Sequence, residues 1–241
     1  MSNPFVLKLA CGASLSTADR ETLQAASSRR RRVAAKTTII SQGDPPSDVH
    51  LILDGFACRS KILGDGARQI MALLLPGDFC DLHVAILGAM DHDIVALSAC
   101  TVVDIPRREV LALVEASPAI TRALWWSTLV DEGVLREWLA NMGRRSAEER
   151  LAHLFCELRA RLRVVGLADD RGFDLPLTQE ELADALGLSP VHLNRVLQIL
   201  RRDGYVSWQG RRLEIPDFER LTDMAGFDPS YLHLTRCLDD A

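Results

Sequence analysis

The spacing of apolar residues changes character along this chain. Between residues 37 and 105 they come in short β-rich runs, at 38–40, 49–53, 56–63, 69–75, 94–99 and 101–105. Gly43-Asp44-Pro45-Pro46, Asp54-Gly55, Asp65-Gly66 and Pro76-Gly77-Asp78 separate them. Turn residues at such regular intervals, without intervening helices, predict an antiparallel sandwich or barrel-like roll. Ahead of this region, residues 1–35 carry a weak helical pattern through Leu15, Leu23 and Ala26 that ends in Arg29-Arg30-Arg31-Arg32. That cluster reads as a solvated helix end, whose cations complement the helix dipole.

After residue 105 the period becomes helical. Residues 107–115 predict a short helix. Pro118 opens the next segment, which has Gly133 and no further Pro up to Asn141, room for a helix of about six turns or more. Along it Ile120, Leu124, Ser127, Asp131, Val134, Trp138 and Asn141 step by four and three, an interrupted heptad seam flanked by Trp125, Trp126, Val130 and Leu135. Such a seam predicts a partner helix; the alternative is packing against the chain's own β region. Gly143 is expected to be a hinge. Beyond it Ser146 and Glu149 form a capping box that starts a helix over 146–162, and residues 164–176 read as a loop.

The stretch 177–212 carries the most specific pattern. Thr178-Gln179-Glu180-Glu181 is a second capping box, and Leu182, Ala183 and Leu186 follow at helical spacing up to Gly187. Ser189-Pro190 then supplies an N-cap and a proline in the first turn of a second helix. At about 100° per residue, Leu193, Val196, Leu197 and Leu200 fall on one side of that helix, and Val191, Asn194, Arg195, Gln198 and Arg202 on the other. Asn, Arg and Gln on an exposed stripe suit bidentate bonds to purine edges. Gly204 ends the helix, and residues 205–208 and 211–215 predict two strands joined by a Gln209-Gly210 turn. The whole is a winged helix-turn-helix, with a small packed helical subdomain as the alternative. Asp217 caps a last short helix through Met224, and no pattern is legible over 227–241.

Composition modifies this picture only locally. The 241 residues, 48% hydrophobic, suffice for two domains, and no run approaches the ~20 apolar residues of a membrane span. Residues 1–8 lack a charged region followed by an apolar run, so the cytoplasm is the expected location. Cys11, Cys58, Cys80, Cys100, Cys156 and Cys237 are scattered, without a Cys-x-x-Cys pair or metal-finger spacing, and are expected to be buried reduced thiols. The net charge of −5 is unusual for a nucleic-acid binder. From His192 to Arg212, however, Asp203 is the one acid, against Arg195, Arg201, Arg202, Arg211 and Arg212. The surface meeting phosphates is therefore expected to be positive.

In this order, β-roll, long helix and winged helix-turn-helix, the chain resembles the Crp/Fnr family of bacterial transcription regulators over nearly its whole length. The matching residues are Asp54-Gly55, Leu74-Leu75-Pro76-Gly77-Asp78-Phe79, and the stretch from Glu181-Leu182-Ala183 through Arg195. The resemblance implies an α+β fold in three parts: an antiparallel, cyclic-nucleotide-binding-like β-roll as sensor over 1–116, a dimerisation helix over 117–143 and a DNA-binding domain over 144–241. It implies a recognition helix over 189–202, with Arg195 reaching guanine in the major groove. Val191 stands where the family has a glutamate; it can touch a thymine methyl but cannot accept from cytosine, so His192 and Asn194 become candidates for other contacts. Together with Thr178, Ser189, Gln198, Arg202, Arg211 and Arg212 these are the expected DNA-binding residues.

Cyclic-nucleotide-binding members carry a Gly-Glu pair after the Gly-Asp-Phe turn and a later arginine for the cyclic phosphate. This chain has Cys80-Asp81-Leu82-His83 and then Asp91-His92-Asp93-Ile94. An acid facing the phosphate would repel it by ~1 to 4 kcal/mol at about 4 Å, which argues against cyclic AMP. With Cys11 alone near the N-terminus, an iron-sulfur sensor is disfavoured too. Asp81, Leu82, His83, His92 and Asp93 are the candidate effector pocket. His and Asp on a β scaffold can bind a metal as in a cupin, but strand alternation would split Asp91, His92 and Asp93 between faces, and a hydrogen-bonding loop is the simpler reading. The expectation is a non-enzymatic, homodimeric transcription regulator without a cofactor or membrane partner. It would read an inverted repeat in double-stranded DNA, answer to a small-molecule effector and contact RNA polymerase. The alternatives are a metal-dependent cupin-like enzyme and a cyclic-nucleotide sensor with an atypical pocket.

Overall fold

A computed structural model of the chain describes residues 3–238. Its first two elements resolve the weak helical pattern: α1 (Pro4–Gly12), capped by Asn3, and α2 (Thr17–Ala26), opened by a Ser16/Asp19 capping box. The arginine run that follows is not a helix end. Arg30–Val33 forms strand β1, paired antiparallel with Cys100–Val103, because α2 stops at Ala26 and Val33 is drawn into the core. Arg31 and Arg29 are neutralised on the surface by Asp104 and Glu109.

The remaining strands of the roll are β2 (Thr38–Ile40), β3 (Asp48–Asp54), β4 (Ala57–Ile62), β5 (Arg68–Leu74), β6 (Asp93–Ala96) and β7 (Cys100–Pro106), with a one-turn α3 (Val84–Leu87) between β5 and β6. They form two antiparallel sheets, ordered β1-β7-β3 and β2-β6-β4-β5. Val49, Leu51, Val102 and Ile105 of one sheet share a core with Ile40, Ala57, Leu74 and Ile94 of the other. The β4–β5 ribbon has a second buried face. Cys58 and Leu73 alternate with Ala57 and Leu74 and point the opposite way, and the bulge between Ala72 and Ile70 brings Ile70 to the same side, into a core shared with the C-terminal half of the chain. Burial on both faces accounts for the nearly continuous apolar run of β5.

α4 (Arg107–Ala116) leads into α5 (Pro118–Arg144), 27 residues long with Ser117 as its N-cap. Gly143 is not the hinge. The helix runs through it, and the chain breaks at Arg145, which is extended at φ −83° and ψ 149° so that Ser146 can cap α6 (Ala147–Val164). The seam expected to meet a partner is also turned inward. Ile120, Leu124, Ser127, Val134, Trp138 and Asn141 are buried against the chain's own β-roll and α6, and Asp131 pairs with Arg59 of β4. Trp138 Nε1 donates to Glu157, and Asn141 bonds His153 at 3.1 Å.

The C-terminal unit adds α7 (Gln179–Leu186) and α8 (Pro190–Arg202) to α6. Behind them lies a three-stranded sheet ordered β8 (Gly172–Asp174), β10 (Arg212–Glu214), β9 (Ser207–Gln209). Strand β8 lies within the expected loop and completes the wing; the turn between β9 and β10 is Gly210-Arg211, one residue later than expected, since Gln209 pairs with Arg212. After α9 (Phe218–Ala225), which Asp217 caps, the chain returns across α5 as a 3₁₀ turn (Pro229–Leu232) and α10 (Thr235–Leu238). Cys11 and Cys237 form a disulfide, against the expectation of six reduced thiols, because this returning segment ends beside α1. Cys58, Cys80, Cys100 and Cys156 are buried thiols. Among the described residues no helix is long and apolar enough to cross a membrane.

Two buried groups couple this packing to pH. Burial alone would raise the Asp78 carboxyl, but Lys8 at 2.6 Å and Arg161 at 2.6 Å hold it down at about 2. Burial, with Arg145 nearby, lowers His153 to about 4 despite Glu137 at 3.3 Å. Both groups bind fewer protons folded than unfolded, so stability is lost as the pH falls in each case. The His153 contribution, about 3 kcal/mol, is complete above its unfolded value near 6.5 and lost on descent towards pH 4; that of Asp78, about 2 kcal/mol, is lost between about pH 4 and 2. Urea unfolding across pH is expected to show both steps, and His153→Gln to flatten the upper one alone.

Candidate nucleic-acid interface

The reading surface is assembled by caps and one turn. The Thr178 hydroxyl accepts from the Glu181 amide while the Glu181 carboxylate accepts from the Thr178 amide, which fixes the start of α7. Gly187, at φ +62°, turns the chain, and Ser189 accepts from the His192 amide to start α8. Leu193, Val196, Leu197 and Leu200 are buried, so the opposite face is held towards solvent. Arg195, Gln198 and Arg202 are exposed on that face and Val191 is 83% exposed; His192 and Asn194 are half-buried at its edge.

The polar side chains on this face are already ordered. Asn194 donates to Gln179 of α7 at 2.9 Å and accepts from Gln198 at 2.9 Å, so both ends of its amide are engaged. Gln179 is a residue that sequence reasoning missed, although its place one residue after a capping threonine puts it at the mouth of the turn. Among the described residues, Arg195 and Arg211 have no ion-pair partner. Arg202 is paired with Asp203, and Arg212 with Asp169 beside it. Arg220, also unforeseen, stacks over Tyr205 and bonds the Asp203 carbonyl at the base of the wing.

The expected effector residues separate into two groups. Asp81 is fully buried and accepts from the amide and the ring of His50, so it belongs to the scaffold of the roll. Asp93 accepts from the Gln42 amide, away from the others, because neighbouring strand residues face opposite ways. Leu82, His83 and His92 do come together, in a cavity of about 520 Å³ between the β4–β5 ribbon and α5. The two imidazoles lie 5.6 Å apart, and burial, opposed by Asp91, holds both below their ordinary value. The cations in the wall are spent. Arg59 binds Asp131 and the Phe79 and Cys80 carbonyls, and Arg161 binds Asp78, Glu157 and the Leu73 carbonyl. Asp91 and Glu132 line the same cavity. Among the described residues no three His, Cys, Asp or Glu side chains converge as metal ligands.

On the solvent side of α5, Trp125, Thr128, Glu132, Leu135, Leu139 and Met142 are exposed, Trp125 to 68% and Leu139 to 74%. They step by three and four, a second heptad register on the same helix. The signal was present in the sequence, but periodicity alone does not say which of two registers a helix buries at home.

Comparison with known proteins agrees with this geometry. Residues 30–117 match the cyclic nucleotide-binding domain family, and residues 149–224 the Crp-like helix-turn-helix domain. The chain is 33% identical over 202 residues to the transcriptional activator protein FnrL of Cereibacter sphaeroides, covering 82% of this chain and 81% of that one. It is 28% identical over 179 residues to the nitrogen fixation regulation protein FixK of Bradyrhizobium diazoefficiens, covering 74% of each. The structure of FixK2 from Bradyrhizobium japonicum shares the fold with a TM-score of 0.73 at 24% identity, covering 81% of this chain and 96% of that one. A roll, a long helix and an open recognition helix define a DNA-binding transcriptional regulator. The chain belongs to the Crp/Fnr family.

Replacing Arg195 with Ala is expected to cost ~1 to 3 kcal/mol of specific binding and to relax selection at one base pair. Arg211→Ala should instead weaken binding on every sequence and reduce the salt slope, as loss of a phosphate contact does. Titrations against a set of single-base variants at two salt concentrations distinguish these outcomes.

Proposed function

We propose that the chain is a homodimeric transcription regulator that binds an inverted repeat through two α8 helices and answers to a small molecule held between its β-roll and α5. The observation that carries this reading is the exposed heptad stripe Trp125, Thr128, Glu132, Leu135, Leu139 and Met142, which runs along α5 beside the cavity. A two-fold pairing through this stripe would bury six to eight side chains per helix and present two recognition helices about one DNA turn apart, roughly 34 to 36 Å. Glu132 and Leu135 belong to both the stripe and the cavity wall, so an occupant of the cavity would press on the dimer seam.

On this reading Arg195 contacts guanine, Val191 a thymine methyl, and His192, Gln198 and Arg202 the flanking edges or phosphates. Thr178 and Ser189 approach the backbone through their free hydroxyl hydrogens, and Asn194 positions Gln198. Arg211 and Arg212 meet phosphates beyond the groove, Arg212 after leaving Asp169. The effector is not cyclic AMP: a cyclic phosphate would meet Asp91 and Glu132, with Arg59 and Arg161 already committed. The protein works in the cytoplasm without enzymatic activity or cofactor, and the DNA-bound dimer would engage RNA polymerase.

Leu139→Glu, at an exposed position, is expected to leave the monomer folded while converting a dimer to monomer in light scattering and lowering operator affinity by about tenfold or more. A dimer that survives this change would remove the proposed seam. Selection of bound fragments from random DNA should return an inverted repeat, and calorimetry with cyclic AMP and cyclic GMP should register no heat of binding.

A further inference from the structure

The segment after α9 does something that neither DNA reading nor effector binding requires. Leaving Gly226, whose carbonyl accepts from Arg145 at the α5–α6 break, it crosses α5 and finishes on α1 at the far end of the chain. Its own Leu232 and Leu234 are buried, and the Tyr231 hydroxyl donates to Glu157, a fully buried carboxylate on α6. Phe227 and Tyr231 enclose the His153 ring. A Cβ on residue 133 would lie 3.1 Å from the Tyr231 carbonyl, so Gly133 lets the segment lie directly on α5. These contacts hold residues 226–234 to the α5–α6 junction. The Cys11–Cys237 disulfide, helped by Arg236 on the Ser14 hydroxyl, carries the segment further, to the first helix of the sensor.

We propose that the Cys11–Cys237 disulfide is a thiol-exchangeable latch that ties the DNA-reading unit to the amino-terminal helix of the β-roll. The reading unit also meets the sensor through the apolar core that the β4–β5 ribbon shares with α6 and α7, the extended Arg145-Ser146 link, the Arg68–Asp184 pair from β5 to α7, and the Lys8–Asp78–Arg161 cluster. A closed disulfide tethers the unit at both of its ends, which restrains rotation about Arg145; an open one leaves the shared apolar core and the charge pairs to hold it. Cys237 is part-exposed and Cys11 is buried. An external thiolate therefore attacks the Cys237 sulfur, expelling the Cys11 thiolate, which takes up a proton. A second thiolate then attacks the outer sulfur of the mixed disulfide, releasing the small disulfide and the Cys237 thiol. Two electrons pass from two small thiols to the protein pair, and closure reverses the sequence with a low-molecular-weight disulfide as oxidant. The other four cysteines do not compete, since they are buried and burial raises their thiols, Cys58 and Cys156 to about 12 and Cys100 to about 11.

The latch is tested on the full-length protein equilibrated with oxidised glutathione or with dithiothreitol. Thiol titration in denaturant is expected to find four free thiols in the first and six in the second. Amide exchange over residues 226–238 and α1 should accelerate by about tenfold or more on reduction. Operator affinity should differ by about tenfold or more between the two forms, a coupling of ordinary allosteric size. Cys237→Ser should match the reduced wild type in both buffers, and Cys11→Ser should do the same if Cys237→Ser folds poorly. Six free thiols after oxidised glutathione, or exchange and affinity that ignore the redox state, would overturn the proposal. The affinity arm rests on the reading of α8 as the DNA-contacting helix. If neither form binds DNA that reading falls, and the exchange arm alone decides the latch.

Discussion

One buried carboxylate, Asp78, holds the two halves of the molecule in register. Its two oxygens are shared by Lys8 of α1, Arg161 of α6 and the Leu75 amide, and its own carbonyl accepts from Ile52 of β3. The turn that presents it depends on Gly77, at φ +97°, where a Cβ would lie 2.8 Å from the Pro4 carbonyl. Three elements from distant parts of the chain therefore converge on one acid. Without it Lys8 would be a poorly solvated charge and Arg161 would keep only Glu157, and an ion cluster of this kind specifies an arrangement more than it adds net stability.

Around that cluster the β4–β5 ribbon and α5 act as shared walls. The ribbon closes the roll with one face and receives α6 and α7 with the other. α5 gives its inward face to both units and leaves a mostly apolar stripe outside, next to an open cavity that the same two walls line together with residues 82–92. Elements buried on two sides cannot adjust to one neighbour without disturbing the other, because a close-packed interior transmits displacement instead of absorbing it. This is the physical basis on which an occupant of the cavity could be felt at the seam and at α8. The returning C-terminal segment adds a further tie over the same joint.

Most of the secondary structure was legible because its signals are local. The Ser146/Glu149 and Thr178/Glu181 capping boxes, Gly187 and the Ser189 cap each act within one turn of helix, and the structure keeps all of them. β1 was missed because four arginines hide a strand whose one buried residue is Val33, and β8 because three residues in a Gly- and Asp-rich stretch carry no periodicity. In the reading head, the exposed stripe of α8 followed directly from helical angles. The engagement of Asn194 by Gln179 and of Arg212 by Asp169 did not, since each joins residues from different elements.

By itself the sequence determined the family, the order of elements and the face of α8 that meets solvent, because periodicity and caps depend on neighbours a few residues away. Tertiary structure decided the rest. It settled which of two heptad registers α5 keeps inside and separated Asp81 and Asp93 from His83 and His92. It also brought Cys11 to Cys237 across 226 residues of chain. A helix or strand offers every face to its surroundings, and which face is buried depends on what the remote chain brings against it.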